Sequence, residues 1–195
     1  MNIGIMGGTF DPIHMGHLVA AERAREAVKL DEVWFMPCHV PPHKDQPPKA
    51  SAKHRMDMVR LAVSDHPCFK VYDGELRRGG VSYTYDTMKI LRHDYPEDCF
   101  HIIIGGDMVQ YLPHWHRIQE LLQMARFIGL KRPGTTIDFA KLGEEIASKV
   151  TLVPMPQLDI SSSQIREWVK NSQSIRYLVP DPVFRYIKEN RLYES

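Results

Sequence analysis

An apolar run over residues 2–6, Asn-Ile-Gly-Ile-Met, stops on Gly7-Gly8, and from Met15 apolar residues recur at helical spacing through Leu18, Val19, Ala21, Ala24 and Ala27. Strand, glycine turn and helix make the opening of a βα unit, and the rest of the chain repeats that rhythm. A second apolar run, Val33 to Met36, ends at Pro37. The following CHVPPHKDQPPK carries four more prolines, which forbid regular structure and predict a long exposed loop. A helix is predicted from Ser51 to Val63, a strand at Phe69–Tyr72, a chain break at Arg77-Arg78-Gly79-Gly80, and a helix over Tyr83–Leu91. The strand His101–Ile104 again ends on glycine, at Gly105-Gly106-Asp107.

The alternation continues with a helix over Ile118–Met124, a strand over Ala125–Leu130, a weaker helix around Asp138–Ser148 and a strand over Val150–Val153. Ser161 to Val169 begins with hydroxyl residues suited to a helix N-cap, and Pro182 to Glu189 makes a final helix with proline in its first turn. The fold class expected is α/β: a Rossmann-like, doubly wound, mainly parallel sheet with helices on both faces and ligands beyond the carboxyl ends of the strands. The 195 residues suit a single domain, with 161–195 as a C-terminal helical segment packed on it. The tail from Arg176 to Ser195 fits a closing helix and is equally compatible with a homodimer face.

Charge narrows the function. With 25 basic and 24 acidic side chains the formal net charge is +1, so no polycationic surface is available for nucleic acid, and an anionic ligand must be gripped locally. No stretch approaches the ~20 apolar residues that span a bilayer, and the odd, widely spaced Cys38, Cys68 and Cys99 read as free thiols of a reducing, cytoplasmic setting. Neither GxGxxG nor GxxxxGK[ST] occurs, which disfavours an ordinary NAD dehydrogenase and a P-loop enzyme.

The string Gly7-Gly8-Thr9-Phe10-Asp11-Pro12-Ile13-His14-Met15-Gly16-His17 places two histidines three apart at a helix start, beside backbone N–H groups and the positive end of the dipole. Gly16 between them allows a ligand to approach closely. A second string, Ile160-Ser161-Ser162-Ser163-Gln164-Ile165-Arg166, puts hydroxyls and amides at another helix start with a guanidinium one turn on. Taken singly, each reads as helix capping. Together and in this order they resemble the HxGH and ISSTxxR-type elements of the nucleotidylyltransferase superfamily. Within it the whole chain is similar to the bacterial nicotinate-nucleotide adenylyltransferases, on GGTFDPIHMGH, the Pro37, Pro41, His43 and Lys44 of a PxxxPxHK run, SYTYDT at 82–87, Ile104-Gly105-Gly106-Asp107, Trp115 and ISSSQIR. Ser163 departs from the frequent threonine but keeps a hydroxyl.

That resemblance implies adenylyl transfer from ATP to nicotinate mononucleotide, with release of pyrophosphate, in NAD synthesis. It implies catalytic roles for His14, His17, Lys44 and Arg166. ATP would be bound by Gly7, Gly8, Thr9, Phe10, His14, His17, Ile160, Ser161, Ser162, Ser163 and Arg166, with His17 nearest the α-phosphate and Arg166 facing the leaving pyrophosphate. The mononucleotide would be bound by Lys44, Thr84, Tyr85, Gly105, Asp107 and Trp115, with Asp107 on a ribose hydroxyl. Mg²⁺ would arrive with ATP, held mostly by phosphate oxygens and water, with Asp11 or Asp107 reaching it through water. Cys38, His39, His43, His114 and His116 permit metal ligation but show no four-ligand set, so no protein-bound metal is expected. The alternatives are an enzyme for nicotinamide mononucleotide and a nucleotide sensor without turnover.

Overall fold

The computed structural model describes residues 1–40 and 47–195. Its strands are β1 (Asn2–Gly8), β2 (Glu32–Pro37), β3 (Phe69–Val71), β4 (Cys99–Gly105), β5 (Ala125–Lys131) and β6 (Val150–Pro154). They form one sheet in the order β3-β2-β1-β4-β5-β6, every pairing parallel. This is the expected doubly wound Rossmann-like sheet. Strand order reverses between β1 and β4, the place where such sheets open a crevice for ligands.

The helices are α1 (Met15–Val28), α2 (Ala52–Val63), α3 (Gly74–Arg78), α4 (Thr84–Asp94), α5 (Gly106–Val109), α6 (Ile118–Met124), α7 (Glu144–Ala147), α8 (Ser162–Lys170) and α9 (Asp181–Glu189). Alternate residues of the central strands feed two cores, as a sheet covered on both faces requires. Met6, Val33, Phe35, Ile103 and Ile128 face α1, α2, α8 and α9; Ile3, Ile5, Trp34, Met36, Ile102 and Phe127 face α4 and α6. The C-terminal helices join the first core through Ile165, Val183 and Ile187. Among the described residues no helix is long and apolar enough to cross a membrane.

Three local readings need correction. The strand does not stop at Met6. Pairing with β2 runs on to Gly8 opposite Pro37, and the chain turns instead at Phe10, whose φ is 50°. Gly8 leaves room for that buried ring, since a Cβ there would lie 3.1 Å from it. The helix expected around 138–148 is divided into a 3₁₀ turn at Phe139–Lys141 and the short α7, separated by Gly143 at φ 78°. Short helices α3 and α5 occupy segments that had read as a break and as a strand end.

Gly106 shows what the glycine pair after β4 is for. A Cβ there would come within 2.9 Å of the Leu130 carbonyl oxygen, so α5 can start against β5 only without a side chain. At Gly7, by contrast, a Cβ would meet nothing within 4 Å. Gly106→Ala is expected to lose about 1–3 kcal/mol of stability by denaturant melting, whereas Gly7→Ala should melt like the parent. Equal stability of Gly106→Ala and the parent would show that this close approach is not rigid.

Candidate active site

Two cavities flank the β1–β4 crevice, and Thr9 and His17 line both. The first, about 780 Å³, lies on the α1 and α8 side and is lined by Phe10, His14, His17, Gly105, Arg132, Ile160, Ser161, Ser162, Ser163 and Arg166, among others. The second, about 630 Å³, lies on the α4 side, with Gly7, Gly8, Thr84, Tyr85, Glu75, His114, Trp115 and His116 around an apolar floor of Ile5, Met36 and Met88.

His14 caps α1 and is only 6 % exposed. Its backbone N–H donates to His17 Nδ1 at 3.1 Å, and the two rings stack at 3.7 Å between centroids. A ring nitrogen that accepts carries no proton, so in neutral His17 the proton sits on Nε2. The His14 Nδ1 is buried and finds no partner among the described residues. Burial first, and then the Arg132 charge, push the His14 pKa down from 6.5 to about 4. Gly16 has a different use from the one its sequence suggested. A Cβ there would come within 3.0 Å of His14 Nδ1 and Cε1, so this glycine makes room for the first histidine ring.

The amides at the start of α1 are mostly spoken for. Met15 N–H donates to the Leu178 carbonyl and His17 N–H to the His14 carbonyl, which leaves that of Gly16 without a partner among the described residues. At α8, Ser161 Oγ caps the helix by accepting from Gln164 N–H at 3.2 Å, and the Ser162 hydroxyl donates to the Pro12 carbonyl at 2.9 Å. Ser162 therefore has its amide, and no longer its hydroxyl proton, to offer an anion. Arg166 donates from Nη1 to the Asp11 carbonyl at 2.8 Å and from Nη2 to Ser163 Oγ at 3.2 Å. Two of its five N–H donors are thus used within the protein.

The structure brings the predicted ATP residues together, with two exceptions of side. Gly7 and Gly8 line the second cavity and not the first. For Gly7 the pleat gives the reason, since it shares the parity of Ile3 and Ile5. Gly105, predicted for the mononucleotide, lines the first cavity, because it shares the parity of Ile103. Thr84, Tyr85 and Trp115 meet in the second. Asp107 is exposed at the start of α5 and lines neither. Lys44 and His43 fall outside the described residues.

Asp11 is the carboxylate lining the first cavity among the described residues, and it is only 4 % exposed. It accepts Lys49 N–H at 2.7 Å, Ala50 N–H at 3.0 Å and the Tyr193 hydroxyl at 2.7 Å. Those bonds occupy the group that sequence had offered to a hydrated cation. Among the described residues no three His, Cys, Asp or Glu side chains gather as a metal cage needs.

Two arginines escaped the sequence reading. Arg132 follows β5 and lines the first cavity; the only signal was a basic pair where an apolar strand ends. Arg55 of α2, 2 % exposed, donates to the carbonyls of Thr9 at 2.8 Å and Cys38 at 2.7 Å. It lies in the helix predicted from Ser51 to Val63, where nothing in the sequence singles it out.

With this geometry, similarity to known proteins can be weighed. A cytidylyltransferase-like family model matches residues 5–168. The probable nicotinate-nucleotide adenylyltransferase of Oceanobacillus iheyensis is 50 % identical over 191 residues, covering 98 % of this chain and 96 % of the relative. The chain belongs to the cytidylyltransferase-like family, among its nicotinate-nucleotide adenylyltransferases. Within that family, the nicotinate-nucleotide adenylyltransferase of Bacillus subtilis is 44 % identical over 193 residues, covering 99 % of this chain and 98 % of its own. The Plasmodium falciparum nicotinic acid mononucleotide adenylyltransferase, solved in complex with NaAD, shares the fold with a TM-score of 0.79 at 24 % identity, over 99 % of this chain and 97 % of that one. As a member of this family the protein is a nucleotidyltransferase.

The depressed His14 pKa has a measurable sign for this adenylyltransferase. Between 6.5 and about 4 the unfolded chain binds a proton that the native one refuses, so stability is complete above pH 6.5 and falls as pH is lowered through that window. The shift corresponds to about 3 kcal/mol. Denaturant melts at pH 7 and pH 4.5 should therefore show a smaller loss for His14→Asn than for the parent. The same loss in both would mean that His14 is not the group that resists protonation.

Proposed function

We propose that this protein transfers the adenylyl group of ATP to nicotinate mononucleotide, giving nicotinate adenine dinucleotide and pyrophosphate in NAD biosynthesis. The observation that carries this reading is the pair of cavities meeting at Thr9 and His17, one rich in anion donors and one largely apolar. ATP is assigned to the first cavity and the mononucleotide to the second, which brings their phosphates to the shared residues.

In the first cavity the donors suit a triphosphate: His14, His17, Arg132, Arg166, the Gly16 amide and the uncommitted Ser162 and Ser163 amides at the start of α8. Phe10 and Ile160 supply apolar wall for the nucleoside. Arg166 is assigned to the leaving pyrophosphate. The His17 Nε2 proton is assigned to the charge that grows on the α-phosphate oxygens during in-line attack. The attacking phosphate monoester has a second pKa near ~6 and is already mostly dianionic, so orientation and neutralisation suffice without a general base. Lys44 is retained as a cation for either phosphate. Mg²⁺ suits a cavity lined by cations and amides only as a passenger on the ATP oxygens, where it would neutralise part of the triphosphate charge.

In the second cavity Tyr83, the N-cap of α4, provides no side-chain cap, so the Thr84, Tyr85 and Asp86 amides have no cap partner among the described residues. Trp115 adds a buried Nε1 donor without a partner among the described residues, and its ring packs edge-on to Phe127. These are donors. A ring carboxylate is satisfied by donors alone, whereas a carboxamide needs an acceptor as well, and this favours nicotinate over nicotinamide. The acidic group nearby, Glu75, is committed to accepting the Thr87 hydroxyl at 2.6 Å. Asp107 lines neither cavity, and the ribose hydroxyl of the mononucleotide is assigned to it by resemblance alone. Three cysteines with no disulfide among the described residues and a dependence on ATP support a cytoplasmic setting.

The deciding assay is pyrophosphate release from ATP and Mg²⁺, with nicotinate mononucleotide, nicotinamide mononucleotide and phosphopantetheine supplied in parallel. Release with the nicotinate substrate is expected to dominate and to fall by ~10²-fold or more in His17→Ala. Dominant release with nicotinamide mononucleotide would overturn the acid preference. No release with any of them would leave a nucleotide-binding sensor.

A further inference from the structure

Asp11 lines the first cavity, yet its carboxylate is spent on bonds from distant parts of the chain. Its carboxylate receives the Lys49 and Ala50 amides, which lie just after the proline-rich segment, and the Tyr193 hydroxyl from beyond α9. Its carbonyl receives Arg166 of α8, the Pro12 carbonyl receives Ser162 of α8, and the Thr9 carbonyl receives Arg55 of α2. The Met15 amide is held by the Leu178 carbonyl. Residues 9–15 therefore owe their path to groups outside the segment, and Tyr193 is the contributor furthest along the chain.

The Tyr193 hydroxyl can serve only as a donor to Asp11. Burial first, and then the charge of Asp11, push the phenol pKa far up, so it stays protonated throughout the physiological range. Arg55 and Arg166 lie near enough to both groups to act in the opposite sense on the phenol, which places Asp11 among compensating cations. Leu192 and Tyr193 pack against the first core, and Leu192 N–H donates to the Ile187 carbonyl, so the hydroxyl is presented from a fixed base.

We propose that Tyr193 is a positioning residue for the nucleotide reaction: through its hydrogen bond to Asp11, the segment after α9 holds the 9–15 loop in the shape that binds ATP. Nothing in the chemistry requires Tyr193 to contact substrate. The proposal rests on the assignment of ATP to the first cavity and adds the element that sets that cavity's shape.

Tyr193→Phe removes the hydroxyl and keeps the ring in the core. The KM for ATP is expected to rise about tenfold, as the loss of one buried hydrogen bond to a charged group would produce if transmitted to the loop. The KM for the mononucleotide should stay within about twofold, because Thr9 is the one residue of the 9–15 loop that lines the second cavity. A purely structural role would instead lower thermal stability and leave both KM values alone, and that result would overturn the proposal. Asp11→Asn supplies the second variant. If Tyr193 acts through Asp11, the double variant should bind ATP no more weakly than Asp11→Asn alone; additive losses would also overturn the proposal. Calorimetric ATP affinity is measured on the same proteins. A parent that binds ATP without turnover would refute the reaction but leave the affinity comparison decisive for Tyr193; a parent that binds no ATP would refute both.

Discussion

A carboxylate buried to 4 % exposure survives only if donors replace the water it has lost, and Asp11 takes those donors from two distant stretches of chain. The same loop presents carbonyls at Thr9, Asp11 and Pro12 to Arg55, Arg166 and Ser162. A turn at the edge of a parallel sheet has no ladder of its own to satisfy these groups, so side chains from α2 and α8 do it instead. The consequence is that the loop leading to His14 and into α1 is tied to α8 and to the segment after α9. Local sequence at 7–17 is necessary for the site, but its geometry belongs to the whole fold.

That geometry explains how a chain of net charge +1 can grip a polyanion. Cations and the starts of α1 and α8 are gathered on one side of the switch point, and the other side is largely apolar with the start of α4 and a few donors. The division is made by the pleat of the sheet. Residues of one parity on β1 and β4 face α1, those of the other face α4, and the two populations meet only beyond the strand ends. A nucleotide and a smaller ligand can then approach the same imidazole from opposite faces.

Much of this was legible in the sequence, and the misses have physical causes. Alternating apolar runs and helical periodicities placed the strands and longer helices, since those patterns are written locally. The two signature strings placed the histidines and serines. Arg132 and Arg55 were not visible because a single arginine at a strand end or on a helix face looks like solvated surface until the sheet brings it to carbonyls or to a cavity. Tyr193 was hidden for the same reason, as its partner lies 182 residues earlier. Gly7 and Gly8 read as a turn because glycine often is one; here strand pairing won, and the turn fell on Phe10, whose left-handed backbone its sequence does not advertise. Gly105 lines the first cavity and Gly7 the second, a division set by strand parity that cannot be read without the strand register.

The histidine pair shows what such preorganisation costs. An imidazole whose Nδ1 is buried without a partner among the described residues is less stable than a solvated one. A histidine free in water would bind the same phosphate after rearranging and partly protonating. His14 instead waits neutral, wedged over Gly16, with its hydrogen-bonding capacity unspent. Local instability of this kind persists only where the surrounding structure over-determines the position. Here the surroundings are the core beneath α1 and the donors that converge on residues 9–12.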